Sequence, residues 1–372
     1  MARPRIVTAT SITLAANNAE IGGGEVMLLH LAASLRELGL EPQVVGPRMA
    51  EGASGGVLDA AEQAGYAVTR LASARRDYVR DLREWDRTRR RGVLWCNGLL
   101  PAVATTGRRG RVVHLHQQPA AAHGALRRAA SAGALATLVP SRHLARQVKG
   151  STVLWNWTGD LTPRLRSVAS PGATATGGAG GTGGTGGTGA LTIGFLGRPG
   201  PAKGVDVLGK ALGLLEARSP GRFRLLLAGE AHFVGTREEQ QLDRALTPVA
   251  HLVDRRGWMD RAEWAESIDI AAFPSRAPES FGLVAAEALG LRTPFVISDA
   301  GALTEVAGPE HPWVARTGDA HDLARVLEEA AATAAGEDAA YLDRGRTRWE
   351  QHFSPGAGRD RVRRLLVQLA LV

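Results

Sequence analysis

Phe273-Pro274-Ser275-Arg276-Ala277-Pro278-Glu279-Ser280-Phe281-Gly282-Leu283-Val284-Ala285-Ala286-Glu287-Ala288-Leu289-Gly290 holds a strand end, a loop and a helix in eighteen residues. The apolar run Ile268–Phe273 predicts a buried strand that stops at Pro274. Ser280 reads as an N-cap, and the helix follows over Phe281–Leu289 and closes near Gly290. The same alternation extends in both directions. In the second half, Leu191–Leu196, Phe223–Ala228, Leu252–Arg255 and Pro294–Ser298 read as strands. In the first half, Ile6–Thr10, Gln43–Gly46, Val93–Trp95, Val112–His116, Thr137–Val139 and Thr152–Leu154 do the same. Helical patterns such as Glu25–Leu38 and Val205–Ala217 lie between them, and three more near 320–333, 337–351 and 356–371 close the chain. Apolar strands alternating with amphipathic helices predict parallel sheets covered on both faces, an α/β class.

The chain has 372 residues, too many for one ordinary core and suited to two domains. Between the halves lies Ser170-Pro171-Gly172, and then the tract from Gly177 to Gly189, almost entirely glycine and threonine. Glycine at that density cannot meet the backbone entropy of a packed element, so a flexible linker or loop is expected there. The division is then 1–158 for a first domain, 159–190 for the linker, 191–354 for a second domain and 355–372 for a terminal helix that could return to the first. Two doubly wound domains place ligands at the carboxyl ends of their strands, and so in a cleft between them.

Composition excludes several classes. The aliphatic content rules out a disordered chain. No run of about 18 uncharged apolar residues offers a membrane-spanning helix. Cys96 is the only cysteine, which excludes an internal disulfide and a cysteine metal cluster. A cytoplasmic protein is the simplest expectation. The formal charge of +8 is uneven: residues 1–158 hold 21 basic and 11 acidic side chains, and residues 190–372 hold 22 and 25. A basic first half favours an anionic partner.

Four clusters carry chemistry. Ile21-Gly22-Gly23-Gly24-Glu25 precedes a helix with Val26, Leu29, Leu31 and Leu35 as its apolar residues. Glycines at a helix start let an anionic ligand approach backbone N–H groups; a tight strand–helix loop is the plainer reading. Gly197-Arg198-Pro199-Gly200-Pro201-Ala202-Lys203-Gly204 follows a strand and is neither a Walker A motif nor G-x-G-x-x-G. It presents two cations, five residues apart, of the kinds that grip phosphate, and no acidic partner is evident in the sequence. Glu279 and Glu287, eight residues apart, would be separated by about 12 Å if fully helical. A glycosidase pair needs about 5–9.5 Å, so two carboxylates each holding sugar hydroxyls fit better, and a capping or surface role for Glu287 is the alternative. His114 and His116 share one face of a strand and are either both in a cleft or both buried. No third ligand accompanies them, which disfavours zinc.

Taken together these residues resemble retaining glycosyltransferases of the GT-B fold, in glycosyltransferase family four. The resemblance runs from the glycine triplet to about Glu305 and rests on G-R-x-x-x-x-K-G at 197–204, E-x-F-G-L at 279–283 and the Glu279/Glu287 pair. Val139-Pro140-Ser141, the Asn156 loop and Gly301 to Glu305 extend it. Departures are Gly229-Glu230-Ala231 without a second glycine, Trp157 after Asn156, and Ala302. The resemblance implies two Rossmann-like domains facing across a cleft, and transfer of a sugar from a UDP- or GDP-linked donor to an acceptor hydroxyl. It implies that Arg198 and Lys203 hold the donor diphosphate, that Glu287 binds ribose hydroxyls and that Glu279 lies near the donor sugar. Gly23 would approach the sugar phosphate, Phe281, Gly282 and Leu283 would present backbone N–H groups to the phosphates, and Gly24 and Ser280 would also belong to the donor-binding set. His116 is the better match to a histidine near donor sugar and acceptor, with His114 second.

No D-x-D occurs, so the two cations, with no metal and no other cofactor, are expected to stabilise the leaving group. Expected partners are the nucleotide-sugar and a small-molecule, lipid-linked or saccharide acceptor, with no nucleic acid. The rivals are another GT-B enzyme, either a nucleotide-sugar epimerase or a sugar-phosphate synthase, and a non-catalytic basic binding protein built on Arg70–Arg91. Asp77–Arg91 draws as a helix with Tyr78, Leu82 and Trp85 on one stripe. Core packing beneath a solvated face is favoured there over contact with an anionic membrane.

Overall fold

The computed structural model describes residues 11–117, 124–162, 190–229, 236–335 and 339–372. The chain divides into two compact units, Met1–Asp160 with Glu350–Val372, and Leu161–Trp349.

The first unit runs β1 (Ile12–Ala16), α1 (Gly23–Glu37), β2 (Gln43–Pro47), α2 (Val57–Gln63), β3 (Ala67–Leu71), α3 (Arg75–Thr88), β4 (Val93–Asn97), α4 (Leu99–Ala104), β5 (Arg111–His114), α5 (Gly124–Ser131), β6 (Ala136–Val139), α6 (Arg142–Gln147) and β7 (Thr152–Val153). Its seven strands are ordered β3-β2-β1-β4-β5-β6-β7 and every pairing is parallel. The second unit runs β8 (Leu191–Leu196), α7 (Val205–Arg218), β9 (Phe223–Ala228), α8 (Thr236–Leu246), β10 (Val253–Arg256), α9 (Arg261–Glu266), β11 (Ile270–Phe273), α10 (Leu283–Leu291), β12 (Phe295–Ser298), α11 (Leu303–Ala307), β13 (Val314–Ala315), α12 (Ala320–Ala335) and α13 (Ala339–His352). Its sheet is β10-β9-β8-β11-β12-β13, again parallel throughout. The boundary between units falls inside α13, and α14 (Pro355–Gln368) packs on α1, with Arg359 paired to Glu37 at 2.8 Å.

Both sheets reverse their winding at one place, between β1 and β4 and between β8 and β11. Loops leaving the carboxyl ends of those strands diverge to opposite faces, and an open crevice remains for a ligand. The glycine triplet follows β1, and the cationic loop follows β8. Burial explains the strands on either side: Ile12 to Ala16, Val93 to Asn97 and Ile270 to Phe273 are all inaccessible.

Several sequence expectations change. Ile6–Thr10 lies outside the described residues, and the first described strand is Ile12–Ala16. The strands Ala67–Leu71 and Val314–Ala315 escaped notice because one is half-buried and the other has two residues. On α1 the buried stripe is Met27, Leu28, Leu31 and Leu35, so Val26 and Leu29 stand at its margin. The Gly/Thr tract 177–189 is outside the described residues. On α3, Tyr78, Leu82 and Trp85 are buried with Ala15, Val45, Leu94 and Cys96 in the core. The apolar stripe is therefore core, and no helix among the described residues is long and apolar enough to cross a membrane.

Candidate functional site

In the second unit the loops after β8 and β11 are tied together. The N–H groups of Arg276 and Ala277 both donate to the Ala202 carbonyl, at 2.9 and 3.0 Å. Gly204 lies at φ 74°, and a Cβ there would come within 1.8 Å of the Pro274 carbonyl oxygen. Only glycine permits that approach. Gly204→Ala should therefore destabilise the unit by about 3 kcal/mol, the combined effect of strained φ and a clash with backbone. Urea denaturation followed by tryptophan fluorescence measures it, and an unchanged midpoint would refute the crossing.

The tie places Lys203 beside Glu279. Lys203 Nζ donates to Glu279 Oε1 at 2.5 Å, and Ser275 Oγ donates to the same oxygen at 2.6 Å. The expectation that Lys203 has no acidic partner is thus overturned: the partner is 76 residues away and comes with the neighbouring loop. Arg198 is exposed on the loop that leaves β8. Gly301, at φ 68°, bridges the backbone of Glu279 from the loop after β12, and Ala302 N–H donates to the Glu279 carbonyl at 2.9 Å. Glu279 is held at both its backbone and its carboxylate.

Ser280 is not the N-cap of the following helix. The cap is Gly282, at φ 95°, with no side-chain hydrogen bond, and the helix is shifted to Leu283–Leu291. A left-handed residue delays the first helical turn, which sequence periodicity does not register. Leu283 and Val284 then supply the first helical N–H groups, and these precede the first intrahelical donor. Glu287 is buried, against the alternative of a surface role, and its carboxylate accepts from Arg261 Nε at the start of α9. Burial raises the Glu287 pKa from its ordinary range, and the Arg261 guanidinium opposes that rise. The structure thus joins Lys203 to Glu279 and Glu287 to Arg261 as separate pairs. Arg261 was missed because nothing in its own neighbourhood marks it.

In the first unit Gly24, His114 and His116 come together. A Cβ on Gly24 would lie 3.5 Å from the His116 ring, and the rings of His114 and His116 are 4.0 Å apart. Gly23 opens α1, with Gly22 as its cap. Asn97, at the end of β4, was not singled out from the sequence. Its Nδ2 donates to the Gly24 carbonyl at 2.8 Å, and its Oδ1 lies 2.8 Å from His116 Nε2. Burial lowers the His116 pKa to about 4 and that of His114 well below its ordinary value, which the neighbouring His116 reinforces. Both nitrogens of His114 and Nδ1 of His116 are buried without a hydrogen-bond partner among the described residues.

Glu25 is also buried, 3% exposed, in the first turn of α1. Its Oε1 accepts from Asn18 N–H at 3.1 Å and Asn18 Nδ2 at 3.2 Å. Burial pushes its pKa from 4.5 to about 7 despite these bonds. The folded chain then holds a proton that the unfolded chain has released, so stability falls as pH rises from about 4.5 to about 7 and is level above. Glu25→Gln should raise stability at pH 8 by up to about 3 kcal/mol relative to the native chain, and much less at pH 5. Urea midpoints at the two pH values test this; an equal difference at both would refute the shift.

The two sheets, their order and their glycine-lined strand ends define a GT-B protein. Residues 190–332 match the family model described as Glycosyl transferases group 1. Similar over 96% of this chain and 100% of its own is Anabaena HepE in complex with UDP-glucose, at TM-score 0.77 and 19% identity. Sucrose-phosphate synthase from Thermosynechococcus elongatus matches over 97% of this chain and 99% of its own, at TM-score 0.76 and 17% identity. At such identities the likeness concerns the fold. Among curated relatives, a D-inositol 3-phosphate glycosyltransferase of Saccharomonospora viridis is 33% identical over 178 residues, 44% of this chain and 40% of the relative. One from Jonesia denitrificans is 36% identical over 116 residues, 30% and 27% of the two chains. The chain thus spans between about a quarter and two fifths of the curated relatives it matches.

Proposed function

We propose that this protein is a retaining glycosyltransferase that takes a sugar from a nucleotide-sugar, UDP- or GDP-linked, and places it on an acceptor hydroxyl. The observation that carries the reading is the Lys203–Glu279–Ser275 cluster beside the Arg198 loop, at the crevice of a group 1 domain. The UDP-glucose complex of HepE supports the donor class. In the proposed course the acceptor oxygen bonds to the anomeric carbon on the face from which the phosphate departs. The bond from that carbon to the phosphate oxygen breaks, and the departing oxygen takes the hydroxyl proton. Arg198 and Lys203 stabilise the diphosphate charge without a metal ion. The leading Leu283 and Val284 N–H groups add to that field. A cytoplasmic location belongs to the same proposal, supported by the single, buried Cys96.

The acceptor is a small-molecule, lipid-linked or saccharide hydroxyl, and the names of the relatives make an inositol phosphate the first to try. A thermal-shift screen of UDP-, GDP- and dTDP-sugars identifies the donor, because bound ligand raises apparent stability. Nucleoside diphosphate released only when acceptor is present, with the product anomer matching the donor by NMR, supports the reading. Release without acceptor, or an epimerised donor, points to another GT-B enzyme. Loss of transfer in chelator would overturn the metal-free part.

A further inference from the structure

We propose that Asn97 is a positioning residue that holds His116 as the neutral tautomer protonated at Nε2. The inference rests on the glycosyltransferase reading only for its functional consequence. The orientation of the Asn97 amide follows from its neighbours. The Gly24 carbonyl can only accept, so the amide NH₂ must face it, at 2.8 Å. The amide oxygen therefore faces His116 Nε2, at 2.8 Å. That oxygen can only accept, so Nε2 must carry the hydrogen. Nδ1 is then the bare nitrogen, buried and without a partner among the described residues.

One amide thus ties the first turn of α1 to the segment that follows β5, using both of its polar ends. Asn97 is itself 1% exposed, so neither bond has a ready substitute from water. The titratable groups around the ring do not compete for it. His114 is buried against it and kept neutral, Cys96 on β4 is raised to about 11, and Glu25 on α1 is engaged with Asn18. Tyr78 on α3 donates to the Ala16 carbonyl at 2.6 Å. Under the proposed function, His116 is a fixed neutral group beside the glycine turn, and it does not exchange protons during turnover.

Histidine ¹⁵N NMR of the full chain tests this without relying on turnover. The native protein should show His116 protonated at Nε2 alone from pH 5.5 to 8. Asn97→Asp keeps the acceptor but adds a charge, so the His116 pKa should rise by about 2 units or more. It also removes the donor to Gly24. Asn97→Leu should give mixed tautomers and, with UDP-glucose, a fall of about tenfold in kcat/KM. An Nδ1–H tautomer in the native chain overturns the inference, as does an unshifted His116 titration in Asn97→Asp. If Asn97→Leu fails to fold, Asn97→Asp alone decides. A native chain that turns over no nucleotide-sugar refutes the glycosyltransferase reading, while the tautomer measurement still decides the role of Asn97.

Discussion

Replacing Lys203 by alanine, or Arg198 by alanine, reduces turnover by about a hundredfold to a thousandfold, the usual effect of removing one preorganised charge from a developing anion. Neither change should unfold the second unit. Lys203 is 41% exposed at its side chain, and its ion pair with Glu279 is half-solvated, so its contribution to stability is small. The pair has another meaning for the chemistry. Without ligand, Glu279 holds the ammonium at 2.5 Å on a loop that Gly204 and Ala202 fix in place. Under the proposed function, an arriving diphosphate would meet a cation already oriented and compete with one carboxylate for it. Lys203→Arg restores the charge with the wrong reach and should recover only part of the rate. Purified variants compared under saturating donor give the answer, and near-normal rates in both alanine variants would remove the leaving-group role.

The second large effect separates the two glutamates. Glu287→Ala weakens binding of the free nucleoside diphosphate about tenfold to a hundredfold, as expected for a lost hydrogen bond to a charged group, with little change in kcat. A ribose contact is made equally in the ground and transition states, so it acts on affinity. Glu279→Ala should do the reverse, lowering turnover more than nucleotide affinity, because Lys203 loses the partner that orients it. Arg261 adds a control. Arg261→Ala leaves the buried Glu287 carboxylate without its cation, so burial raises its pKa further and favours the protonated carboxyl. Donor affinity in that variant should improve as pH rises. Calorimetry with UDP and GDP reads all three. The assignments are reversed if Glu279→Ala abolishes nucleotide binding while Glu287→Ala leaves it intact.

Strands β8, β9 and β11 and helices α1 and α7 were legible because their cause is local: a run of apolar residues, or apolar residues at helical spacing, bounded by glycine or proline. The residues 197–204 and 279–283 were legible as motifs for the same reason, since each cluster is continuous in the chain. The capping error at Ser280 has a local cause too, but it lies in the backbone. Serine at that place has the chemistry of a cap, while the left-handed Gly282 two residues later sets the start of α10.

Pairings belong to another level. Lys203 meets Glu279 only because two parallel strands, β8 and β11, lie side by side and send their loops over the same edge. Glu287 meets Arg261 across 26 residues, and Asn97 meets Gly24 across 73. Hydrophobic periodicity determines which segments are strands and helices, and thereby the α/β class, because burial of one face is a property of each segment alone. It does not determine strand order, and strand order decides which loops share an edge. By itself, then, the sequence determined most of the elements, the α/β class and the residue types at the strand ends. Only the tertiary structure decided which charges are paired, that Glu25 and Glu287 are buried, and that one asparagine joins the glycine turn to His116, because desolvation and hydrogen bonding act between residues that the chain brings together only on folding.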